Sequence, residues 1–181
     1  MTNVVLHFDL DGVLARYVDA DSKTRPFNVP GSGYFRRRPR NQIPVALARH
    51  LASIQDVDVR VLSRVPDIPN MTAEWKADKI AWVHENCPFI KTPTLIVVGD
   101  DKNAALHDLM TANPRTNPRT HILVDDDPRI LQRWVAAGGS GIQYMQPNHA
   151  VRPWSGAVIG PNDDLTVAVA TVERHISRVT T

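Results

Sequence analysis

Two acidic residues near the N-terminus have types and spacing suited to catalysis at one small site. Asp9 and Asp11 follow a short apolar run at residues 4–8, and Gly12 comes directly after them. The run predicts a buried strand, and open parallel sheets bind their ligands at the carboxyl ends of such strands. One carboxylate can attack a substrate or bind a cation there while the other acts over the same site. Gly12 allows the tight backbone turn that this requires.

Two other interpretations of the acidic pair fit less well. Asp11 and Gly12 are also typical of a hairpin turn, but the residues after them do not alternate as a returning strand would. A calcium-binding EF-hand loop needs an oxygen ligand at its fifth position. Counted from Asp9, that position is Val13, which excludes such a loop.

A second acidic group follows another predicted strand. Residues 121–124 lead into Asp125, Asp126 and Asp127, and Pro128 comes next. Pro128 suits the first position of a helix, which makes Asp127 its N-cap. Asp125 and Asp126 have no capping role and are left to hold a cation. Paired acids at the ends of two strands predict a hard oxygen site of the kind that Mg²⁺ prefers.

Two polar residues between these acidic groups are candidates for binding phosphate. Ser63 follows the predicted strand at residues 57–62, where a hydroxyl and backbone N–H groups can hold a phosphate oxygen. Lys102 comes after the predicted strand at residues 94–98 and opens a helix, where an ammonium acts as a point charge for phosphate. Taken alone, Ser63 would be an ordinary loop serine and Lys102 an ordinary surface lysine. The prediction therefore depends on their combination.

The order of these motifs resembles the haloacid dehalogenase-like phosphohydrolase superfamily, over roughly residues 3–145. The four motifs correspond, in chain order, to Asp9 with Asp11, Ser63, Lys102, and Asp125 with Asp126. Four motifs in the right order are far more specific than any one of them.

Within that superfamily, the segments 8–15, 79–83 and 122–126 look like those of the small 5'(3')-deoxyribonucleotidases. The connection before the last strand departs from the family pattern, because residues 113–120 contain a tandem Asn-Pro-Arg-Thr repeat. Lys79 is therefore a second candidate, beside Lys102, for neutralising the phosphate.

The resemblance implies a Mg²⁺-dependent phosphomonoesterase that dephosphorylates nucleoside monophosphates, with deoxyribonucleotides preferred. Asp9 would attack phosphorus and form an aspartyl-phosphate. Asp11 would protonate the leaving oxygen and then activate water. Such an enzyme has a small-molecule nucleotide as its substrate.

The resemblance also implies which groups surround the reacting phosphate. Mg²⁺ would be held by Asp9, the Asp11 carbonyl and Asp125, and Asp126 would orient water at the metal. A second set of groups would stabilise charge on the transferring group: Ser63, the Arg64 backbone and Lys102.

Composition is that of a single globular domain spanning residues 1–181. The chain has 181 residues and a net charge of +2, and a near-balanced charge argues against bulk nucleic-acid binding. No apolar stretch reaches membrane-spanning length, and the N-terminus lacks the pattern of a signal peptide. Cys87 is the single cysteine, which favours a cytoplasmic location and, next to Pro88, an inert thiol. The scattered histidines lack the spacing of a zinc site.

Alternating strand and helix patterns predict an α/β fold. We expect a Rossmann-like parallel sheet of about five strands, at residues 4–8, 57–62, 94–98, 121–124 and 142–145, with helices on both faces. The helices are expected near residues 44–54, 72–86, 103 onward, 129–137 and 163 onward. Thr72 is expected to cap the second helix, and the tryptophans within that helix have the spacing of core residues.

Residues 15–42, rich in proline, glycine and arginine, are interpreted as a small irregular cap over the site. Its densest charge run, at residues 35–40, includes Arg36 and would suit a dianionic phosphate. Three aromatic side chains are available to stack on a base of any kind: Phe27, Tyr34 and Phe35.

Two alternative functions stay open at this point. The first is a phosphatase for another ester, such as a polynucleotide 3'-phosphate end, whose backbone the arginine run would follow. The second is a non-catalytic nucleotide-binding module, although such a module needs neither nucleophile nor general acid. The sequence leaves open the base, the sugar, the 5' or 3' position of the phosphate and the oligomeric state, for which a dimer is one option.

Overall fold

The computed structural model describes residues 4–17, 31–99, 101–113, 115–146 and 153–181. Within these ranges the chain forms six parallel strands in one sheet and five α-helices. The strands are β1 (Val4–Phe8), β2 (Val57–Val65), β3 (Leu95–Val98), β4 (His121–Asp125), β5 (Ser140–Tyr144) and β6 (Ala157–Ile159). The helices are α1 (Gln42–Leu51), α2 (Thr72–Asn86), α3 (Lys102–Ala112), α4 (Pro128–Ala136) and α5 (Leu165–Thr180).

The strand order is β3-β2-β1-β4-β5-β6. The chain builds one half of the sheet from β1 outward to β3, and then returns to place β4 on the other side of β1. Such a reversal of strand order opens a crevice at the carboxyl ends of the two central strands, which is where ligands of doubly wound sheets bind. The predicted acids lie at the carboxyl ends of these same two strands, β1 and β4.

Helices cover both faces of the sheet, as the alternating pattern predicted. One hydrophobic cluster joins the sheet to α1, α2 and α5, and a second joins it to α3 and α4. β1 and β4 are buried along their whole length, as expected for the central strands of a parallel sheet with two covered faces. In the part of the chain that is described, no helix combines the length and the apolar character needed to cross a membrane.

Three local features differ from the expectations. The sheet has a sixth strand, β6, whose three residues between turn-forming glycines are too short to give a periodic signal. β2 continues to Val65, so Ser63 lies within the strand rather than after it. The N-cap of α2 is Met71 instead of Thr72, and the Thr72 hydroxyl accepts a hydrogen bond from the backbone N–H of Ile68 at 3.0 Å.

Other expectations are confirmed. Asp127 caps α4 by accepting a hydrogen bond from the backbone N–H of Arg129 at 3.0 Å. Trp75 and Trp82 of α2 are core residues. The thiol of Cys87 is buried, and burial raises its pKa to about 12, so little reactive thiolate forms at neutral pH.

A buried histidine pair links the two central strands. His7 Nε2 and His121 Nδ1 are 3.1 Å apart, and the Trp134 ring stands edge-on to His7 at 5.5 Å between ring centroids. Burial, followed by the charges of His121 and Arg60, lowers the pKa of His7 to about 3. The fold therefore holds this imidazole neutral.

Acid should destabilise the protein through His7. The unfolded chain binds a proton at His7 below the ordinary pKa of 6.5, whereas the folded chain does so only near pH 3, so stability is lost as pH falls through this window. At about two pH units below 6.5 the loss should be about 2–3 kcal/mol. We expect His7→Gln to remove most of this acid-induced loss. The measurement is the difference in the free energy of unfolding between pH 7.5 and pH 4.5, obtained by urea denaturation. His50→Gln, at an exposed histidine on α1, should keep the wild-type pH dependence. Equal pH dependence of all three proteins would contradict the prediction.

Candidate active site

Three carboxylates meet where β1 and β4 end. Phe8 pairs with Val124 in the sheet, and the backbone N–H of Asp9 donates to the Val124 carbonyl at 2.9 Å. This places Asp9 beside Asp125, the last residue of β4, and Asp126 follows. Carboxylate oxygens of Asp9, Asp125 and Asp126 all lie within 4.8 Å of one another.

Lys102 neutralises part of this cluster. It is the first residue of α3, held there by the Asp101 N-cap, which accepts from the backbone N–H of Asn103 at 2.9 Å. Its Nζ is 2.7 Å from Asp9 Oδ1 and 2.7 Å from Asp125 Oδ2. Burial alone would lower the pKa of Lys102, but the two carboxylates outweigh it and raise the pKa. The lysine therefore stays charged against the acids of both central strands.

Asp11 has a separate pair of cations. The chain turns back after it through Gly12, whose φ is +92°, a backbone conformation that glycine adopts without strain. Arg38 Nη1 donates to Asp11 Oδ1 at 2.5 Å, and Lys79 Nζ donates to Asp11 Oδ2. Burial alone would raise the pKa of Asp11, but the charges of Lys79 and Arg38 prevail and lower it. Asp11 is thus a carboxylate at neutral pH.

Both lysines proposed for the phosphate role lie in the site. Lys79 comes from α2 and is buried. Besides Asp11, its ammonium donates to Ser63 Oγ at 3.0 Å and to the Arg64 carbonyl. Ser63 is likewise fully buried within β2. Lys79 therefore connects the second motif to Asp11, whereas Lys102 connects Asp9 to Asp125.

The acidic cluster has the charge and donors for a divalent cation. Burial, together with Asp125 and Asp11, raises the pKa of Asp9 to about 6 even though Lys102 opposes this. Burial, followed by the charges of Asp125 and Asp9, raises the pKa of Asp126 to about 8. Burial and the neighbouring carboxylates thus disfavour the charged forms of both acids, and a nearby positive charge would favour them. Closely spaced carboxylate oxygens are ligands that Mg²⁺ takes together with water and phosphate, so these residues fit the ion.

Arg38 is a site residue that the sequence interpretation did not single out. Its guanidinium is buried, and the aromatic ring centroids of Tyr17, Tyr34 and Phe35 lie 4.8, 4.8 and 5.4 Å from its Cζ. Arg38 also donates to the Tyr34 hydroxyl at 2.9 Å. The only available sequence signal was the arginine run, and that run does not indicate which arginine turns inward.

Two further residues complete the surroundings of the acids. Tyr17 is largely buried, and burial, followed by the charges of Asp126 and Asp9, raises the pKa of its hydroxyl. Gln146 follows β5, and its amide Nε2 donates to Asp126 Oδ2 at 2.6 Å. Neither residue belongs to a motif that sequence inspection can recognise.

The four residues of the predicted cap that were expected to contact the substrate differ in their surroundings. Phe27 lies outside the described residues. Phe35 is buried in a cluster with Trp75, and its ring centroid is 4.6 Å from Lys79 Nζ. Arg36 is exposed and forms an ion pair with Glu85. Of the proposed residues that are described, Tyr34 and Phe35 contact the cations of the site through their rings.

Comparisons with known proteins support the fold. The sequence matches no protein-family model and no curated protein. A haloacid dehalogenase-like family hydrolase from Xanthomonas campestris superposes with a TM-score of 0.62 at 12% identity, covering 99% of this chain and 98% of that one. A protein named as a haloacid dehalogenase-like hydrolase from Burkholderia xenovorans superposes with a TM-score of 0.61 at 14% identity, covering 97% and 99%. The chain therefore has the fold of the haloacid dehalogenase-like hydrolases over almost its entire length.

Proposed function

We propose that the protein is a Mg²⁺-dependent phosphomonoesterase that hydrolyses nucleoside monophosphates, with deoxyribonucleotides preferred on the resemblance to the 5'(3')-deoxyribonucleotidases. One observation carries the proposal. Asp9 and Asp11 lie two residues apart at a buried strand end, yet each has its own set of cationic partners. Separate surroundings allow the two carboxylates to take different roles in one reaction.

In the proposed reaction Asp9 is the nucleophile. A carboxylate oxygen of Asp9 forms a bond to phosphorus while the bond from phosphorus to the nucleoside oxygen breaks, which gives an aspartyl-phosphate. Asp11 supplies the proton to the departing oxygen. Water then attacks the aspartyl-phosphate, Asp11 accepts a proton from that water, and inorganic phosphate leaves with Asp9 restored.

The cations around Asp11 are compatible with its role as an acid. In the ligand-free site Lys79 and Arg38 keep the pKa of Asp11 low. A phosphate dianion near Lys79 adds negative charge beside Asp11, which raises the pKa of a neighbouring carboxyl. Substrate binding therefore shifts Asp11 toward the protonated form that the first step needs.

A bound Mg²⁺ would supply positive charge between Asp9 and the phosphate and reduce their repulsion. Asp9, Asp125 and Asp126 are the side chains that would hold it, together with the Asp11 carbonyl. Counted as ionised, the four acids of the site exceed its three cations, Lys79, Lys102 and Arg38, by one negative charge. A bound divalent cation would make the net charge of the site positive, which would favour the entry of a dianionic phosphate. Ser63 and the Arg64 backbone are proposed to bind the phosphate with the lysines.

A phosphate-release screen tests the proposal. Purified protein with Mg²⁺ would be given ribo- and deoxyribonucleoside 5'- and 3'-monophosphates, sugar phosphates and oligonucleotides with a terminal phosphate. We expect the highest kcat/KM on a deoxyribonucleoside monophosphate and no release in the presence of excess EDTA. A metal-independent activity, or no release from any ester, would contradict the proposal.

A polynucleotide 3'-phosphate end is the second candidate substrate. It is favoured by Arg37 and Arg40, which are exposed on either side of the buried Arg38. Such a substrate would give turnover that rises with strand length and falls steeply with salt. A mononucleotide substrate would give neither dependence, so the same screen separates the two.

The two lysines should contribute to different kinetic constants. Lys102 contacts the proposed nucleophile, so Lys102→Met should lower kcat and kcat/KM together by about 10²–10³-fold. Lys79 contacts Ser63 and Asp11, and Lys79→Met should chiefly raise KM, by about tenfold, through loss of one charge-assisted contact to phosphate. Steady-state kinetics on the best nucleotide measures both effects.

Lys91→Met is the matched control, because Lys91 is exposed and lies outside the site. It should leave both kinetic constants unchanged. Far-UV circular dichroism would verify that the variants at buried lysines are folded. The opposite pattern, with the larger loss of kcat in Lys79→Met, would assign the main phosphate-neutralising role to Lys79.

A further inference from the structure

We propose that Gln146 is a positioning residue of the cation site, whose side-chain amide holds Asp126 in the orientation that binds the metal. The inference rests on the proposed Mg²⁺ site but adds a residue that none of the four motifs contains. Gln146 belongs to neither acidic group and comes from a third segment of the chain, at the end of β5.

The backbone that leads to Gln146 is held in place by the sheet. β5 ends at Tyr144, and the backbone N–H of Met145 donates to the Ile159 carbonyl at 2.9 Å, which ties the residue directly before Gln146 to β6. The side chain of Gln146 is buried, and its Nε2 lies 2.6 Å from Asp126 Oδ2. The amide nitrogen Nε2 is the donor and Asp126 Oδ2 the acceptor, and such a bond is stronger once the acceptor is ionised, as a carboxylate that holds a cation must be.

The turn after β1 leaves space for this contact at Gly12. A Cβ atom added at Gly12 would lie 2.4 Å from Gln146 Nε2 and 2.6 Å from Asp126 Oδ2. No side chain fits there, so the glycine provides the space for the pair as well as the positive φ of the turn. Three segments therefore converge on Asp126 Oδ2: the turn after β1, the end of β4 and the end of β5.

The contact matters because the three acids repel one another. Asp9 and Asp125 share the Lys102 ammonium, but that ammonium makes no ion pair with Asp126 among those found in the described residues. Without the amide, the Asp126 side chain can rotate away from its negative neighbours, and an arriving cation must first pull it back. Partners that orient metal ligands in this way typically change metal affinity by about 10–100-fold when they are removed.

The test compares metal binding by wild type, Gln146→Met and Gln146→Asn. Methionine keeps the length and volume but lacks the amide, whereas asparagine keeps the amide but is one methylene too short to reach Asp126. Isothermal titration calorimetry with Mg²⁺, and with Mn²⁺ as a second probe, should show Kd raised about 10–100-fold in both variants. Gln132→Met, at an exposed glutamine on α4, should bind as wild type does.

Stability and kinetics distinguish positioning from a purely structural role. The Tm of the metal-free variants should stay within a few degrees of wild type, while the rise in Tm on adding Mg²⁺ should be smaller at a given concentration. On the best nucleotide, the Mg²⁺ concentration for half-maximal activity should rise, and saturating Mg²⁺ should restore most of kcat. The asparagine variant keeps the test available if the methionine variant does not fold.

The outcomes separate this inference from the proposed function. If wild type binds Mg²⁺ and hydrolyses the ester, and both Gln146 variants bind Mg²⁺ with wild-type affinity, the positioning role alone is overturned. Absence of Mg²⁺ binding and of phosphate release in wild type would overturn the proposed function and this inference with it.

Discussion

Asp9→Asn is expected to abolish phosphate release while leaving the fold intact. Asparagine keeps the shape of the side chain but lacks the charge that attacks phosphorus and binds the cation, so kcat should fall by at least about 10⁴-fold. The substitution should not lower Tm in metal-free buffer. Burial, with Asp125 and Asp11, raises the pKa of Asp9 to about 6, so above that pH the folded state is destabilised by the charge that the substitution removes.

The measurement combines turnover on the best nucleotide with thermal denaturation at pH 7.5 without metal. Gln132→Met, in the exposed surface of α4, serves as the control and should match wild type in both assays. Turnover by Asp9→Asn above a few percent of wild type would exclude the covalent mechanism. A large drop in Tm would instead mean that the contact with Lys102 outweighs the repulsion from neighbouring acids.

Asp11→Asn should slow the reaction and also destabilise the protein. Loss of the general acid should lower kcat on a nucleoside monophosphate by about 10²–10⁴-fold. On p-nitrophenyl phosphate, whose leaving group needs no proton, kcat/KM should fall much less, because kcat/KM covers only the steps up to release of the leaving group. Since the same residue activates water, the aspartyl-phosphate should accumulate on Asp9 and be visible by intact-protein mass spectrometry after acid quench. The substitution also leaves Lys79 and Arg38 buried without their carboxylate, which should cost on the order of 3 kcal/mol of stability.

Several readouts check this second prediction. Steady-state kinetics on both substrates gives the dependence on leaving group, and urea denaturation gives the free energy of unfolding. The stability loss of Asp11→Asn beside the unchanged Tm of Asp9→Asn would distinguish the surroundings of the two acids. Equal slowing on both substrates, with no phosphoenzyme, would leave Asp11 with a structural role only.

Much of the site follows from local sequence patterns. Asp9 and Asp125 could be placed together because each follows an apolar strand, and parallel strands bring their carboxyl ends to one edge of the sheet. Lys102 could be placed there because it opens a helix just after another strand. These inferences need only the periodicity of the elements and the geometry of parallel sheets, so they did not depend on the connecting loops.

The remaining site residues depend on tertiary contacts that have no local signal. Arg38 is turned inward in an irregular segment whose backbone is fixed by Trp82, whose indole N–H donates to the Arg38 carbonyl at 2.7 Å. Gln146 is positioned by pairing with the short strand β6, which the pattern did not reveal. Lys79 is four residues beyond Trp75 on α2, and sequence alone could not show that its long side chain reaches Asp11 beside the core.

The pairing of β1 with β4 also has a consequence for when the candidate active site forms during synthesis of the chain. The histidines that face each other across these strands, His7 and His121, are 114 residues apart in the chain, whereas β1 can pair with β2 much earlier. Closing so long a loop has an entropic cost, and folds dominated by such distant pairings form slowly. A nascent chain that ends before β4 therefore leaves one edge of β1, a strand that is fully buried in the folded protein, unpaired and prone to aggregation. Asp9 meets Asp125 and Asp126 only after β4 has emerged, so the acidic cluster should form late in folding.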